Sequence, residues 1–390
     1  MSSDPIRNIK SRLARALTAM NHQEPDRVPL DFGGRQTTVH YQTHQELMDY
    51  LGFKGPEPHI RNLHTSIVDP DPQLLEYFDA MSAIIYPKAP DSFQMHIDPA
   101  TNTWYDEWGV KYYMPPGGYY YDMCENPLPN ATSAADLARY AWPKADDPTR
   151  ITGLKERLQV AWEAGDKVVY YCSPTNGLFE HSWYVLGFEN AYTSLAGNQP
   201  LIEAFTERLL EWQMAYWSMA LEGCGQWVDV IQLNEDLGSQ NALLMAPATY
   251  RKIYKPRLRR LIEHIHKMTD ARIYLHSCGA VRPLIGDMIE IGVDILNPVQ
   301  VTAKGMDSAE LKREFGRDIT FWGGGCSPVI LQNGTVEDVE AEVRRRIRDF
   351  APGGGFVLGS VHNIQAGTPP QNIVAMFEAG KKWGGYPIQA

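Results

Sequence analysis

His276 and Cys278 stand two residues apart in Tyr274-Leu275-His276-Ser277-Cys278-Gly279. In an extended segment such a pair points the same way, so a neutral imidazole and a thiolate would form two corners of a tetrahedral zinc site. A third soft donor, Cys326, closes Phe321-Trp322-Gly323-Gly324-Gly325-Cys326, where three glycines let the backbone turn and approach a ligand. We therefore expect His276, Cys278 and Cys326 to hold zinc or another thiophilic ion. The fourth position falls to Glu235 or His362, or stays open for a substrate. Two other readings use the same residues: inert packing at a barrel mouth, or a cysteine nucleophile activated by a histidine.

Other polar side chains have roles only if they face the same cavity. Of the adjacent carboxylates Glu235 and Asp236, one should point inward and the other orient a loop, with Asp236 also suited to an N-cap. The inward role, as ligand or proton manager, is assigned to Glu235. His362, following Val357-Leu358-Gly359-Ser360-Val361, suits proton transfer. Arg35, after Gly33-Gly34, suits a substrate carboxylate, and Asn234 joins it as a substrate contact.

Each of these residues follows a short apolar run. Such runs are 27–32, 167–172, 228–233, 272–275, 294–297, 319–322 and 356–358, with 83–86 an eighth and weaker one. Gly, Pro, Asn or Asp lie close to each, which suits buried parallel strands. Between them, 256–268 and 336–350 repeat apolar positions at helical spacing, the second after a Thr335 N-cap. Eight strand–helix units in 390 residues predict an α/β fold, a single (β/α)8 TIM barrel over 1–390 with an N-terminal helix. In such a barrel the strand ends converge on one cavity. No Gly-x-Gly-x-x-Gly turn follows the first strand and no Gly-Lys-Ser/Thr loop is present, which argues against a dinucleotide fold.

Residues 98–122 interrupt the rhythm with Trp104, Trp108, Tyr112, Tyr113 and Tyr119 to Tyr121 around Pro115-Pro116-Gly117-Gly118. This predicts an inserted aromatic β-hairpin, either packed on the rim or covering the pocket. In the second case Trp104 and Tyr113 touch substrate.

A formal charge of −11 argues against a general nucleic-acid binder. No stretch approaches the length of a membrane span and the first twenty residues carry no signal-type apolar core. Five scattered cysteines do not form a disulfide framework, so the expected setting is a reducing cytoplasm.

The combination of Pro25-Asp26-Arg27-Val28-Pro29, Asn234-Glu235-Asp236-Leu237-Gly238-Ser239-Gln240, His276-Ser277-Cys278-Gly279, Asp294-Ile295-Leu296-Asn297-Pro298-Val299-Gln300 and Gly353-Gly354-Gly355-Phe356 resembles the uroporphyrinogen decarboxylase superfamily. That resemblance implies a (β/α)8 barrel and one of two chemistries. The arginine-rich N-terminal grip of true decarboxylases is absent, since Asp31-Phe32-Gly33-Gly34-Arg35-Gln36 differs from it. The His-x-Cys pair is similar to that of the zinc methyltransferases that exchange methyl groups with a corrinoid carrier. In the thiol-methylating members the remaining cysteine falls near the last strand, about where His362 stands, whereas Cys326 comes one strand earlier.

The resemblance thus implies a zinc methyltransferase moving a methyl group between a small substrate, such as an aryl methyl ether, and a corrinoid carried by a separate protein. A homodimer is the assembly to test. The alternatives are a metal-independent decarboxylase of a tetrapyrrole or other acid, and a barrel that binds a corrinoid or porphyrin without turnover.

Overall fold

A computed structural model describes residues 7–389. Seven short strands pair side by side, all parallel, in spatial order Phe356–Val357, Thr320–Trp322, Ile295–Asn297, Arg272–His276, Val230–Asn234, Val168–Tyr171 and Ser82–Ile85. The eighth position belongs to Leu30, which bridges in parallel to Ala80 on one side and Leu358 on the other. The Met81 amide donates to the Leu30 carbonyl, the Asp31 amide to Leu358, and the Leu358 amide to Pro29. Those bonds close the (β/α)8 barrel, and each strand corresponds to a run read from the sequence.

Helices cover the outside because their apolar stripes must be buried. Val336–Phe350 buries Val339, Val343, Ile347 and Phe350, and starts at a Thr335–Asp338 capping box. Lys255–His266 buries Leu258, Leu261, Ile262 and Ile265. Alternation along the strands sorts the rest. Val168, Tyr170, Val230, Tyr274, Ile295, Trp322 and Val357 pack as one cluster, separate from Val169, Tyr171, Ile231, Ile273 and Phe321, which pack with the helices.

The inner cluster also holds Leu13, Ala16 and Met20 of the first helix, Ser11–Met20. That helix plugs the lower end, so the barrel opens at its upper mouth. Tyr170, Tyr274 and Trp322 pack edge-on or tilted at 5.2 to 6.0 Å. The Trp322 indole donates to Asp31, which also accepts from Thr37 and Ser82.

Where the sequence suggested a hairpin, residues 103–125 form three antiparallel strands, Thr103–Tyr105, Lys111–Tyr113 and Asp122–Glu125. Trp104 stacks on Tyr112 at 4.4 Å. The insert makes two contacts at the mouth: the Tyr120 hydroxyl donates to Gln365 (2.7 Å), and Trp108 packs on His181 at 4.3 Å. No helix among the described residues is long and apolar enough to cross a membrane, and all five cysteines are free thiols.

Trp322 is the largest side chain of the barrel's inner layer and carries Asp31's indole hydrogen bond. Trp322→Ala should lower the unfolding free energy by about 4 kcal/mol in urea denaturation followed by circular dichroism. A loss below about 1 kcal/mol would contradict this packing.

Candidate metal centre

Register at the mouth is set by backbone pairing: Asn234 lies beside His276, and His276 beside Asn297. Continuing the inward series Tyr274, His276 brings Cys278 to the same cavity. The thiol lies 3.5 Å from His276 Nε2, and His276 Nδ1 is 2.7 Å from Asn297 Oδ1. The strand must then stop. Gly279 has φ +85, and a side chain there would collide with the backbone of Gly238 and Ser239. Its amide donates to Gln300 Oε1 (2.8 Å), whose Nε2 donates to Gln240 (2.8 Å), tying three loops together.

His362 completes the group. Its ring sits 5.4 Å from that of His276, and one donor atom from each of His276, Cys278 and His362 lies within 4.8 Å of the others. Burial lowers the pKa of His276, and burial together with His276 brings His362 down to about 4, so both imidazoles are neutral at ordinary pH. Neutral imidazole is the form that binds metal.

Burial, then the nearby carboxylates Asp236 and Glu180, push the Cys278 thiol well above its usual range. A thiol in such surroundings ionises when a cation joins it. The 3.5 Å between Nε2 and Sγ matches the edge of about 3.6 Å expected for a zinc tetrahedron. Two imidazoles, a thiol and adjacent carboxylates therefore fit a zinc ion.

Asp236 is the inward carboxylate, contrary to expectation. Its Oδ1 accepts the Cys278 amide (2.8 Å) and lies 3.7 Å from His276 Nε2. Glu235 is fully buried and turned outward, where it accepts the amides of Leu178, Phe179 and Glu180 at 2.8, 2.8 and 3.3 Å. Desolvation raises it to about 8 against those three bonds. Alternation explains the exchange: Gln232 and Asn234 point inward, so the next inward position is 236.

Cys326 is not brought to the group. Its thiol lies in the hydrophobic core, 3.7 Å from the Ser327 carbonyl and in the field of Glu342 and Arg346 on the outer helix. Gly323 and Gly324 both have positive φ, which breaks the inward–outward alternation after Trp322.

The remaining expected residues divide. Arg35 donates to the Ser173 carbonyl and to Gln232 Oε1 (3.5 Å), both uncharged. Its charge lowers the pKa of both His276 and Glu180, so it acts on the same cavity. Asn234 is spent within the barrel, accepting from Gln36 and Gln232 and donating to Thr175. Trp104 is buried inside the insert with its indole N–H unpartnered. Tyr113 is exposed, because the strand's inward position is taken by Tyr112.

Sequence reasoning missed Glu180, whose carboxyl is raised well above its usual range by burial and then by Asp236 and Glu235. It follows the strand Val168–Tyr171 by nine residues, beyond the short polar turn at the strand's end.

A family model for uroporphyrinogen decarboxylase (URO-D) matches residues 108–383. A methylcobamide:CoM methyltransferase MtaA of Methanosarcina barkeri is 30% identical over 151 residues, 39% of this chain and 41% of its own length. A uroporphyrinogen decarboxylase of Crocosphaera subtropica is 26% identical over 193 residues, 48% of this chain and 50% of its own. The chain thus aligns with half or less of the length of these curated relatives. A solved methyltransferase from Methanosarcina mazei shares the fold, with TM-score 0.61 at 20% identity over 96% of this chain and 99% of that one.

Two measurements check the donor set. Zinc retention against a chelator should fall at least about tenfold in Cys278→Ser and His362→Ala, and be unchanged in Cys326→Ser. Because the thiol is protonated and the imidazoles are neutral, zinc added to metal-free protein near pH 7.5 should release about one proton. Release of none would place Cys278 outside the site.

Proposed function

The chain belongs to the uroporphyrinogen decarboxylase family, and within it we propose a zinc methyltransferase that moves a methyl group between a small methylated substrate and a corrinoid on a partner protein. The observation that carries this reading is the convergence of His276, Cys278 and His362 on one barrel mouth. Similarity to a methylcobamide-dependent methyltransferase supports the corrinoid arm. An aryl methyl ether is the first substrate to test.

His276, Cys278 and His362 would hold the ion, with Asp236 beside it. When bound, zinc supplies Lewis acidity to the heteroatom that loses its methyl group. In demethylation of an ether the methyl C–O bond breaks with its electron pair left on oxygen, and the methyl passes to the corrinoid. The oxygen then needs a proton. Glu180 is a suitable source, because burial and the neighbouring Asp236 and Glu235 raise its carboxyl well above the usual range. Arg35, hydrogen-bonded among the described residues to uncharged acceptors, suits an anionic group on the substrate. The aromatic insert, tied down at Gln365 and His181, narrows the mouth and limits water.

Similarity to a decarboxylase favours a second reading, in which Arg35 grips a carboxylate and no metal is needed. It leaves the trio of His276, Cys278 and His362 without a chemical role.

Free cob(I)alamin replaces the unknown partner in a direct test. With zinc-loaded protein and a methoxybenzoate, methylcobalamin and the phenol should form together, and Arg35→Leu should raise KM about tenfold or more. Release of carbon dioxide from a tetrapyrrole carboxylate by zinc-free protein, with no methyl transfer from any ether tried, would favour the second reading.

A further inference from the structure

We infer that Asn297 is a positioning residue that keeps the His276 proton on Nδ1 and so reserves Nε2 as a lone pair facing Cys278 and His362. The inference rests on the zinc reading only for the use made of that lone pair.

A side-chain amide has one donating and one accepting end. Asn297 Nδ2 lies 2.9 Å from the carbonyl of Trp322. A carbonyl can only accept, so the NH2 group must lie on that side. The amide oxygen then faces His276, 2.7 Å from Nδ1. An amide oxygen can only accept as well, so Nδ1 carries a hydrogen, and in the neutral imidazole Nε2 then has none. Asn297 is fully buried, so bulk water does not compete for either end.

Backbone geometry fixes the arrangement independently of the side chains. His276 and Asn297 are register partners on adjacent strands, and the Ser277 amide donates to the Asn297 carbonyl at 2.6 Å. The residue after Trp322 is Gly323, with φ +92, and a Cβ there would come within 3.0 Å of Asn297 Nδ2. The glycine leaves the amide its seat.

Metal-bound histidines commonly have their second nitrogen held by a carboxylate or carbonyl. Here an amide does it, for two reasons visible at the site. An aspartate would set a carboxylate oxygen against the Trp322 carbonyl. It would also add negative charge beside a cavity that already contains Asp236 and Glu180. The neutral amide orients the imidazole without making it more electron-rich, which preserves the acidity of an ion bound at Nε2.

The test begins with metal-free protein labelled with 15N at the histidine rings, at a pH where the imidazoles are neutral. The His276 signal, identified by its loss in His276→Gln, should be that of the Nδ1–H tautomer; an Nε2–H signal would overturn the inference. Asn297→Leu, similar in size but without polar atoms, should lose the tautomer preference and retain zinc about 10- to 100-fold less well against a chelator. Asn297→Asp keeps an acceptor for Nδ1 and should recover the tautomer and part of the zinc affinity.

Unchanged zinc retention in Asn297→Leu, or no recovery in folded Asn297→Asp, would contradict the positioning role. If wild type binds no zinc, the metal reading fails; the tautomer in the metal-free spectrum still decides the inference. That spectrum needs no variant at position 297, so a Leu protein that does not fold leaves the test intact.

Discussion

Closing a parallel sheet into a barrel makes alternate side chains of every strand face inward, and the mouth chemistry depends on that alternation. Tyr274 and His276 are successive inward positions on one strand, and Gln232 and Asn234 on its neighbour. The series continues to Cys278 and Asp236 where the strands end. Backbone pairing of His276 with Asn297 then sets the depth of the imidazole. Below this level Tyr170, Tyr274 and Trp322 fill the barrel, and Leu13, Ala16 and Met20 seal its floor. The polar groups therefore meet in one place at the open end.

Electrostatics gives that place its character. Asp236, Glu180 and the Cys278 thiol are half-buried at the mouth, where Asp236 disfavours charge on Glu180, and both carboxylates disfavour it on the thiol. Arg35 opposes this at Glu180, whose charged form it favours. Burial lowers the pKa of both imidazoles, that of His362 to about 4. Such a site favours a bound cation, because a cation stabilises the thiolate and the carboxylates together. Glu235 serves the scaffold instead. Its carboxyl group accepts the amides of Leu178, Phe179 and Glu180, fixing the start of the helix Glu180–Leu186 that carries Glu180.

Much of this was legible in the residues. All eight strands follow from short apolar runs bounded by turn residues, and His276 with Cys278 follows from their spacing of two. Cys326 did not follow the same rule. Its approach runs through Gly323 and Gly324, whose positive φ values reset the direction of the chain, and apolar patterns contain no record of φ. The choice between Glu235 and Asp236 was open to alternation, given the strand's correct end at Asn234 rather than Leu233. Register errors of one residue exchange inside for outside. Glu180 and the third strand of the insert depend on long-range packing, through Glu235 and through Lys111 with Glu125, which one-dimensional spacing does not encode.

The central claim is that His276, Cys278 and His362 hold one ion, and the coordination shell of bound zinc tests it most directly. X-ray absorption fine structure of the zinc-loaded protein should show one sulfur at about 2.3 Å and two imidazole nitrogens at about 2.0–2.1 Å, with oxygen completing the shell. Two sulfurs would bring Cys326 into the site, and a shell without sulfur would remove Cys278; either contradicts the account.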